Sequence, residues 1–203
     1  QSFVNIIGFA SGFSTVILLF LVLTYEQSFE VLHANKQRIY RGGRESNGPG
    51  EKGYRTGVPY PVTGSLRDEY PQLEKTAAIL SDNDAQVTIP GPEGKTLKKF
   101  KEPRGVFFAE PQFFDLFDFK VIEGASADAL RTRNTALLTK DVAAKYFGDW
   151  RTALCKIVKT SGLDLTVAGI LDNPPVNTDF PLGMVISYSS LKVLGTNMTD
   201  WIG

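Results

Sequence analysis

Cysteine and histidine occur only once each in this chain of 203 residues, as Cys155 and His33. A single cysteine cannot form a disulfide within the chain, and it cannot supply the thiolates of a structural zinc site. His33 lies close to the N-terminal apolar segment, so it is not an obvious catalytic partner for the thiol. We therefore interpret Cys155 as a small buried apolar residue, and we expect no metal or cofactor site.

The chain also lacks an excess of charge of either sign, since 22 Lys and Arg residues balance 22 Asp and Glu residues. A nucleic-acid-binding protein would show a basic excess, so no nucleic acid partner is expected. Hydrophobic residues make up 42% of the chain and charged residues 22%, a balance typical of a folded protein. The length allows one ordinary domain besides a membrane segment.

Nucleotide-binding and hydrolase signatures are missing as well. Gly94-Lys95-Thr96 resembles the end of a phosphate-binding loop, but Ile89 stands where that loop needs a glycine. No Gly-x-Ser-x-Gly motif occurs, and a single histidine does not favour a conventional triad. We therefore expect no enzymatic activity and interpret the paired carboxylates as solvated turn residues rather than acid–base or cation sites. These pairs are Asp82/Asp84, Asp115/Asp118 and Asp164/Asp172.

A long apolar segment is present at the N-terminus. No charged residue precedes Glu26, and residues 3–23 are long enough to cross the roughly 30 Å hydrocarbon layer of a membrane. A cleaved signal peptide is disfavoured, because the basic start and the small-residue exit of such peptides are missing. We predict a transmembrane helix over residues 1–27. Gly8 and Gly12 have the spacing that lets another membrane helix pack closely.

The residues that follow mix apolar and polar side chains at helical spacing. This pattern predicts a juxtamembrane helix over residues 28–41 that continues the membrane helix. Such a helix would convert tilting within the membrane into displacement of the domain beyond it. Its candidate coupling residues are Phe29, Leu32, Ile39 and Tyr40.

The orientation of the membrane helix does not follow from charge. The positive-inside rule taken alone would place the basic residues after the helix in the cytoplasm. The rule does not decide here, because long folded domains cross membranes largely regardless of their charge. The basic residues are Lys36, Arg38, Arg41 and Arg44.

Residues 42–203 are predicted to form one α+β domain with a mixed, mainly antiparallel sheet and short helices. The glycine-rich, charged residues 42–57 indicate an exposed loop, and helices are expected over residues 61–70, 111–117 and 140–147. Gly148 would end the last helix. A hairpin joins the second and third of the predicted strands. These strands cover residues 76–80, 86–89, 96–100, 106–109, 135–139, 153–160, 163–171 and 182–186.

Six phenylalanines are concentrated between residues 107 and 119. They could line a groove for an apolar ligand or partner. Aromatic residues on both faces of a short strand and helix usually fill a core, so we favour core packing. The six are Phe107, Phe108, Phe113, Phe114, Phe117 and Phe119.

The order of several short motifs resembles the FtsX-like ABC transporter permeases, and within them the MacB-like periplasmic core domain. The resemblance covers nearly the whole chain, although residues 150–156 depart from the usual pattern after Tyr-Phe-Gly. The motifs, in chain order, are Asn5-Ile6-Ile7-Gly8-Phe9-Ala10-Ser11-Gly12, Glu26-Gln27-Ser28-Phe29, Arg38-Ile39-Tyr40-Arg41, Val58-Pro59-Tyr60-Pro61, Leu66-Arg67-Asp68-Glu69-Tyr70-Pro71, Ala109-Glu110-Pro111-Gln112-Phe113-Phe114-Asp115-Leu116-Phe117, Ala143-Ala144-Lys145-Tyr146-Phe147-Gly148 and Leu165-Thr166-Val167-Ala168-Gly169-Ile170-Leu171-Asp172-Asn173-Pro174-Pro175.

This resemblance implies a permease subunit in the bacterial inner membrane, with its soluble domain in the periplasm. A separate ATP-binding subunit would hydrolyse nucleotide in the cytoplasm, and the periplasmic domain would couple that hydrolysis to export or mechanical work. The implied partners also include a second copy, through the membrane helices, and a periplasmic adaptor or a substrate protein or peptide. Relatives continue beyond the region that resembles this chain, so the chain is expected to be an N-terminal fragment.

Two other classes of protein remain open from the residues alone. A single-pass membrane sensor would have the same architecture, with a ligand-binding extracytoplasmic domain. An anchored hydrolase would need one of the carboxylate pairs to act as acid and base. Signalling sequence before Gln1 would favour the sensor, and loss of activity on replacing Asp115 and Asp118 would favour the hydrolase.

Overall fold

A computed structural model describes residues 2–27, 35–48, 51–91, 95–125, 127–178 and 180–196. The first element is α1 (Ser2–Gln27), in which Phe3–Gln27 is long and apolar enough to cross a membrane and is not buried against the rest of the chain. Hydroxyl groups within it donate to the carbonyl four residues earlier, as Ser11 Oγ does to Ile7 O at 2.8 Å. These hydroxyl donors are therefore satisfied within the helix, as an apolar medium requires.

The predicted juxtamembrane helix is corrected at its C-terminal end. Phe29 and Leu32 lie outside the described residues, and Lys36–Arg38 forms only one 3-10 turn. Ile39 then adopts an extended backbone with φ −90° and ψ 124°, and Tyr40 belongs to no helix. The β-branched Ile39 and the glycines at 42 and 43 favour extended over helical backbone, which explains why apolar spacing misled the prediction here.

The predicted loop over residues 42–57 is wrong, because this segment forms an antiparallel hairpin. Strands β1 (Gly43–Gly48) and β2 (Glu51–Thr56) pair with each other from Gly43 opposite Thr56 to Gly48 opposite Glu51. Neither pairs with any other strand that the structure describes. Apolar and polar residues do not alternate along these strands. The sequence period of two that indicates a half-buried strand is therefore missing.

The other predicted helices are confirmed, and each predicted strand has a counterpart whose ends differ by a few residues. Apart from the hairpin, the half-buried strand β7 was missed. Three further 3-10 helices among the described residues cover Ala127–Arg131, Trp150–Thr152 and Tyr188–Leu194. The elements after the hairpin are α2 (Val62–Glu69), β3 (Ile79–Ser81), β4 (Ala85–Pro90), β5 (Thr96–Glu102), β6 (Val106–Ala109), α3 (Phe113–Leu116), β7 (Val121–Gly124), β8 (Thr135–Thr139), α4 (Lys140–Phe147), β9 (Ile157–Thr160), β10 (Leu163–Leu171) and β11 (Met184–Ser187).

The nine later strands form one mixed sheet, in which β7 pairs with β10 beside the path β3-β6-β11-β8-β10-β9-β4-β5. Among the described strand pairs, only β6 with β11 and β8 with β10 run parallel, so the predicted mainly antiparallel sheet is confirmed. Strand β10 organises the sheet, because β8 occupies one of its edges while β9 and β7 share the other. The predicted hairpin between β4 and β5 is also present.

The core lies on both faces of the central strands. Along β8, Ala136 and Leu138 face one cluster and Leu137 the other, as the alternation of side chains in a strand requires. Tyr146 of α4 covers the first face, and Phe113 covers the second. The prediction that the phenylalanines form core is confirmed for all six, with Phe108 on the first face and the others on the second.

Candidate interfaces and the Arg67 network

The face of α1 that carries Gly8 and Gly12 forms an open groove along the helix. A methyl group placed on either glycine would meet nothing within 4 Å. Residues four apart lie on the same side of a helix, so the two glycines leave a continuous depression between bulkier neighbours. The groove is lined by Val4, Asn5, Gly8, Phe9, Gly12, Phe13 and Val16.

A hydrogen-bonded network centred on Arg67 attaches α2 to the β3–β6 edge of the sheet. The Arg67 guanidinium donates to Thr76 Oγ1 at 2.9 Å and to the Thr76 carbonyl at 2.8 Å. It also donates to both carboxylate oxygens of Glu110, which follows β6. Glu110 Oε2 accepts the backbone N–H of Ala78 at 2.8 Å. We call Arg67, Thr76, Ala78 and Glu110 the Arg67 network; its two-pronged Arg–carboxylate contact fixes the relative orientation of its parts.

The surroundings of Glu110 are partly buried. Burial, together with the negative charge of Glu110 and the neighbouring Tyr60, raises the pKa of Tyr188 to about 12. Tyr60 and Tyr188 both pack against the first core cluster. The Arg67 network therefore lies at the margin of the core, with Glu110 partly buried and Arg67 exposed.

A second ion pair connects the network to the segment after α1. Arg38, in the 3-10 turn, donates to Glu74 Oε2 at 3.0 Å, and Glu74 lies two residues before Thr76. Both side chains are exposed, so this pair alone contributes little stability. The pair matters for geometry, because it connects residues 36–38 to the segment before β3 that Arg67 also contacts.

At the opposite edge of the sheet, a buried carboxylate connects β5 to α4. Glu102 Oε1 accepts from Tyr146 Oη at 2.9 Å and from Lys145 Nζ at 2.7 Å. Burial, and secondarily the charge of Glu102, raises the pKa of Tyr146 well above its usual range. This arrangement satisfies a buried carboxylate from two donors.

Five of the six carboxylates in the candidate pairs contact partners outside their own pair. Lys140 donates to Asp172 and thereby lowers the pKa of that exposed carboxyl. In the part of the chain that the structure describes, no group of three or more His, Cys, Asp or Glu could hold a metal ion. The recorded contacts are Asp82 with Ser161, Asp84 with Lys101, Asp115 with Lys75, Asp164 with Lys159 and Asp172 with Lys140.

Two other sequence interpretations have clear outcomes. Cys155 is exposed, with a positive φ of 61°, so its interpretation as a buried apolar residue is wrong. It occupies the turn before β9, where backbone conformation outweighs the preference of its side chain. Gly94 lies outside the described residues, while Lys95 and Thr96 lead into β5 and not into a helix, contrary to a phosphate-binding loop.

Sequence reasoning singled out the motifs that contain Arg67 and Glu110 but assigned no role to either side chain. The structure brings these motifs together across 43 positions of sequence. An arginine on an otherwise polar helix gives no signal of its partner, because many surface arginines follow the same pattern. Only the packing of α2 beside the end of β6 reveals the contact.

Comparison with proteins of known structure supports the same fold. The chain is similar to a domain assigned to a permease protein of Porphyromonas gingivalis, with 22% identity, a TM-score of 0.59 and coverage of 80% of this chain and 65% of that one. It is also similar to the periplasmic region of MacB from Actinobacillus actinomycetemcomitans, with 15% identity, a TM-score of 0.50 and coverage of 70% and 60%. The chain thus spans less than two thirds of either structure.

No curated protein sequence matches the chain. The sequence model of the MacB-like periplasmic core domain, in contrast, matches residues 2–201. That range includes the apolar helix α1, the hairpin and the whole mixed sheet. The chain therefore belongs to the family of MacB-like periplasmic core domains of ABC-transporter-type permeases.

Proposed function

We propose that this chain is part of a permease subunit in which α1 spans the bacterial inner membrane and the sheet domain lies in the periplasm. A separate ATP-binding subunit hydrolyses ATP in the cytoplasm. The sheet domain converts the resulting movement of the membrane helices into export or mechanical work outside the membrane. The family assignment supports this proposal, as does the long apolar helix at the N-terminus.

The observation that carries the proposal is the chain of contacts between the segment after α1 and the sheet. Arg38 contacts Glu74, and Arg67 holds the neighbouring Thr76 against Glu110 at the end of β6. A displacement of residues 36–38 is thus passed to the edge of the sheet through packed and hydrogen-bonded groups. Such contacts act as a mechanical connection, and they require no chemistry in the domain itself.

In this proposal the coupling segment is not one continuous helix over residues 28–41. Phe29 and Leu32 remain candidate coupling residues on the basis of sequence, and a proline at Leu32 should uncouple ATP turnover from movement of the domain. Ile39 acts in extended backbone after the 3-10 turn, and Tyr40 follows it outside any helix. Their role is to lead the chain from that turn into the hairpin.

The proposed partners follow from the two ends of this connection. The open groove at Gly8 and Gly12 would let α1 pack closely against a membrane helix of a second copy, giving a homodimer. The periplasmic domain would contact an adaptor or a substrate protein or peptide. We place these partners at the membrane and in the periplasm, respectively.

The test is to replace Arg67 in the full-length permease reconstituted with its ATP-binding subunit. Spin labels on Cys155 and on a Tyr25→Cys variant, with other cysteines removed, report the distance between the sheet domain and the end of α1. ATP should change this distance in the parent protein. In Arg67→Ala, ATP hydrolysis should continue while the change in distance is lost, because a coupling free energy of about 1–3 kcal/mol has been removed.

The matched control is Arg131→Ala, which removes an exposed arginine paired with the nearby Asp128. It should keep the ATP-dependent change in distance. An unchanged response in Arg67→Ala would contradict the proposed route. Loss of the response in both variants would also contradict it, because the effect would then not depend on the Arg67 network.

A further inference from the structure

The residues that follow α1 carry a dense positive charge. Residues 36–44 contain Lys36, Arg38, Arg41 and Arg44 and no acidic residue. The chain as a whole is neutral, so the rest of it is net acidic. We call residues 36–44 the basic segment. Its charge is therefore not a general property of the surface but a local excess.

The cations of the basic segment are available to an outside partner. All four side chains are exposed. Arg38 pairs with Glu74, but the two side chains are 72% and 73% exposed, so solvent screens that pair strongly. Within the described part of the chain, Lys36, Arg41 and Arg44 have no ion pair. Three of the four charges are thus uncompensated by any described residue.

Two tyrosines accompany these cations. Tyr40 lies inside the basic segment and is 88% exposed, and Tyr54 of β2 is 86% exposed. Tyrosine has an apolar ring and a polar hydroxyl, and it is usually partly covered in a soluble domain. The same combination makes tyrosine frequent at the boundary between lipid and water. This exposure is an observation independent of the charge.

The hairpin that continues the basic segment is also unsupported by strand pairing within the described chain. Strands β1 and β2 pair only with each other among the described strands, and an isolated two-stranded hairpin is marginally stable in water. Its register runs from Gly43 opposite Thr56 to Gly48 opposite Glu51. A surface beside the hairpin would supply the support that the large sheet does not.

The position in the chain identifies that surface. Lys36 follows Gln27, the last residue of α1, by nine residues, which even fully extended span no more than about 30 Å. The headgroup region of the bilayer from which α1 emerges lies within this reach. Basic residues near an anionic membrane surface are attracted to it, and the attraction decreases within a Debye length of roughly 8 Å at physiological salt.

We propose that the basic segment, with Tyr40 and Tyr54, docks on the headgroups of anionic phospholipids beside the outer end of α1. Arg and Lys would contact phosphate groups, and the tyrosine rings would enter the interface. Docking would support the hairpin and set the height of the sheet domain above the membrane. This inference requires α1 to span a membrane, but it does not require coupling to ATP hydrolysis.

The experiment measures contact with lipid directly, in the full-length protein reconstituted into vesicles. A Tyr40→Trp variant is compared with its parent for fluorescence quenching by brominated lipid. One set of vesicles contains brominated phosphatidylcholine alone, and the other also contains brominated phosphatidylglycerol at the same total bromine content. Quenching of the indole introduced at position 40 should be greater in the anionic vesicles, and the difference should disappear at high salt.

A neutralised variant and a matched control separate the basic segment from general surface charge. Lys36→Gln/Arg41→Gln/Arg44→Gln should lose the preference for anionic vesicles, by about fivefold in partitioning per charge removed. The control Lys99→Gln/Lys101→Gln/Arg104→Gln removes three exposed cations elsewhere on the domain and should retain it. Equal quenching in both kinds of vesicle, or a preference that survives in the neutralised variant, would overturn the proposal.

Three further measurements distinguish lipid docking from binding of another ligand and from a failure of membrane anchoring. Soluble glycerol phosphate should not reduce the quenching; competition by it would overturn lipid docking in favour of a small anionic ligand. The indole at position 40 could be quenched in neither kind of vesicle and yet change its fluorescence when an acidic protein is added. That result would also overturn lipid docking. A Tyr25→Trp reporter at the end of α1 should be quenched in both kinds of vesicle, and failure there would show that the membrane anchoring itself is wrong.

Discussion

At the scale of single residues, Gly105 shows how backbone conformation determines a local sequence. It has a φ of +94°, and a Cβ there would lie 2.5 Å from the carbonyl oxygen of Pro181. The carbonyl of Gly105 also accepts the N–H groups of Gly183 and Met184 at 2.9 and 2.8 Å. The turn before β6 and the start of β11 therefore meet at a point with no room for a side chain.

Gly105→Ala should lower the free energy of unfolding by about 3 kcal/mol, because backbone strain adds to a clash with fixed backbone. The matched control is Gly195→Ala, where φ is +73° and a methyl group meets nothing within 4 Å. This control should cost only about 1 kcal/mol. Denaturant unfolding of both variants tests the difference, and equal losses would contradict a steric role for Pro181.

Tyr146 makes stability sensitive to alkaline pH. Its pKa is raised in the folded state, mainly by burial, whereas in the unfolded chain it is close to 10. As the pH rises above about 10, the unfolded chain loses the proton first, so the stability that is complete below this pH declines above it. The slope is up to about 1.4 kcal/mol per pH unit for each such group.

Tyr188, whose pKa is raised to about 12, should contribute in the same direction between pH 10 and 12. Unfolding free energies measured over this range should therefore fall about half as steeply in Tyr146→Phe as in the parent chain. Leu165→Val is the control, because it removes buried volume but no ionisable group, and it should leave the slope unchanged. Identical slopes in the parent and Tyr146→Phe would contradict the buried-phenol explanation.

At the scale of elements, the β1–β2 hairpin is separate from the sheet in its backbone pairing. Replacing residues 44–55 by an Asn-Gly turn should change the thermal midpoint of the sheet domain little, because no ladder hydrogen bond to the large sheet is lost. Val87→Ala in β4, at a fully buried position, is the contrasting variant and should cost about 2 kcal/mol. A large destabilisation by the hairpin deletion would show that the hairpin packs on the domain.

The elements also show where local pattern is sufficient. The strand predicted over residues 135–139 and the helix predicted over residues 140–147 match β8 and α4 at both ends. The reason is that β-branched and apolar residues lead directly into an amphipathic helix, which Gly148 ends with a φ of +87°. The hairpin and Ile39 were misjudged for the opposite reason. The charged strands of the hairpin show no alternation of apolar and polar residues. Ile39 lies at helical spacing from other apolar residues, but the glycines that follow it favour extended backbone.

At the scale of the whole molecule, we propose that two copies associate through the groove of α1. Gly12→Leu should fill the groove and weaken association in a membrane-association assay, because close backbone approach supplies the packing energy between membrane helices. Ala10→Leu is the matched control: successive residues are about 100° apart, so position 10 faces nearly away from Gly12. Association that is unchanged in Gly12→Leu, or equally weakened in both, would contradict a specific interface at the glycines.

The candidate sites, like the elements of the fold, differ in whether the sequence alone predicts them. Gly8 and Gly12 could be proposed from sequence, since spacing along one helix already places them on one face. The Arg67 network could not, because Arg67, Thr76 and Glu110 come from three separate segments. Nothing in a polar helix or in the loop after a strand indicates which distant charge it will meet.

The sequence by itself determined the long apolar helix α1, the α+β class and most strand and helix positions, because these depend on apolar runs, hydrophobic periodicity and turn residues within a few positions of one another. The tertiary structure alone decided the order of strands around β10, the two faces of the core and the pairing of Arg67 with Glu110. Each of these depends on which surfaces bury one another across long stretches of chain, and that is a property of packing in three dimensions rather than of local pattern.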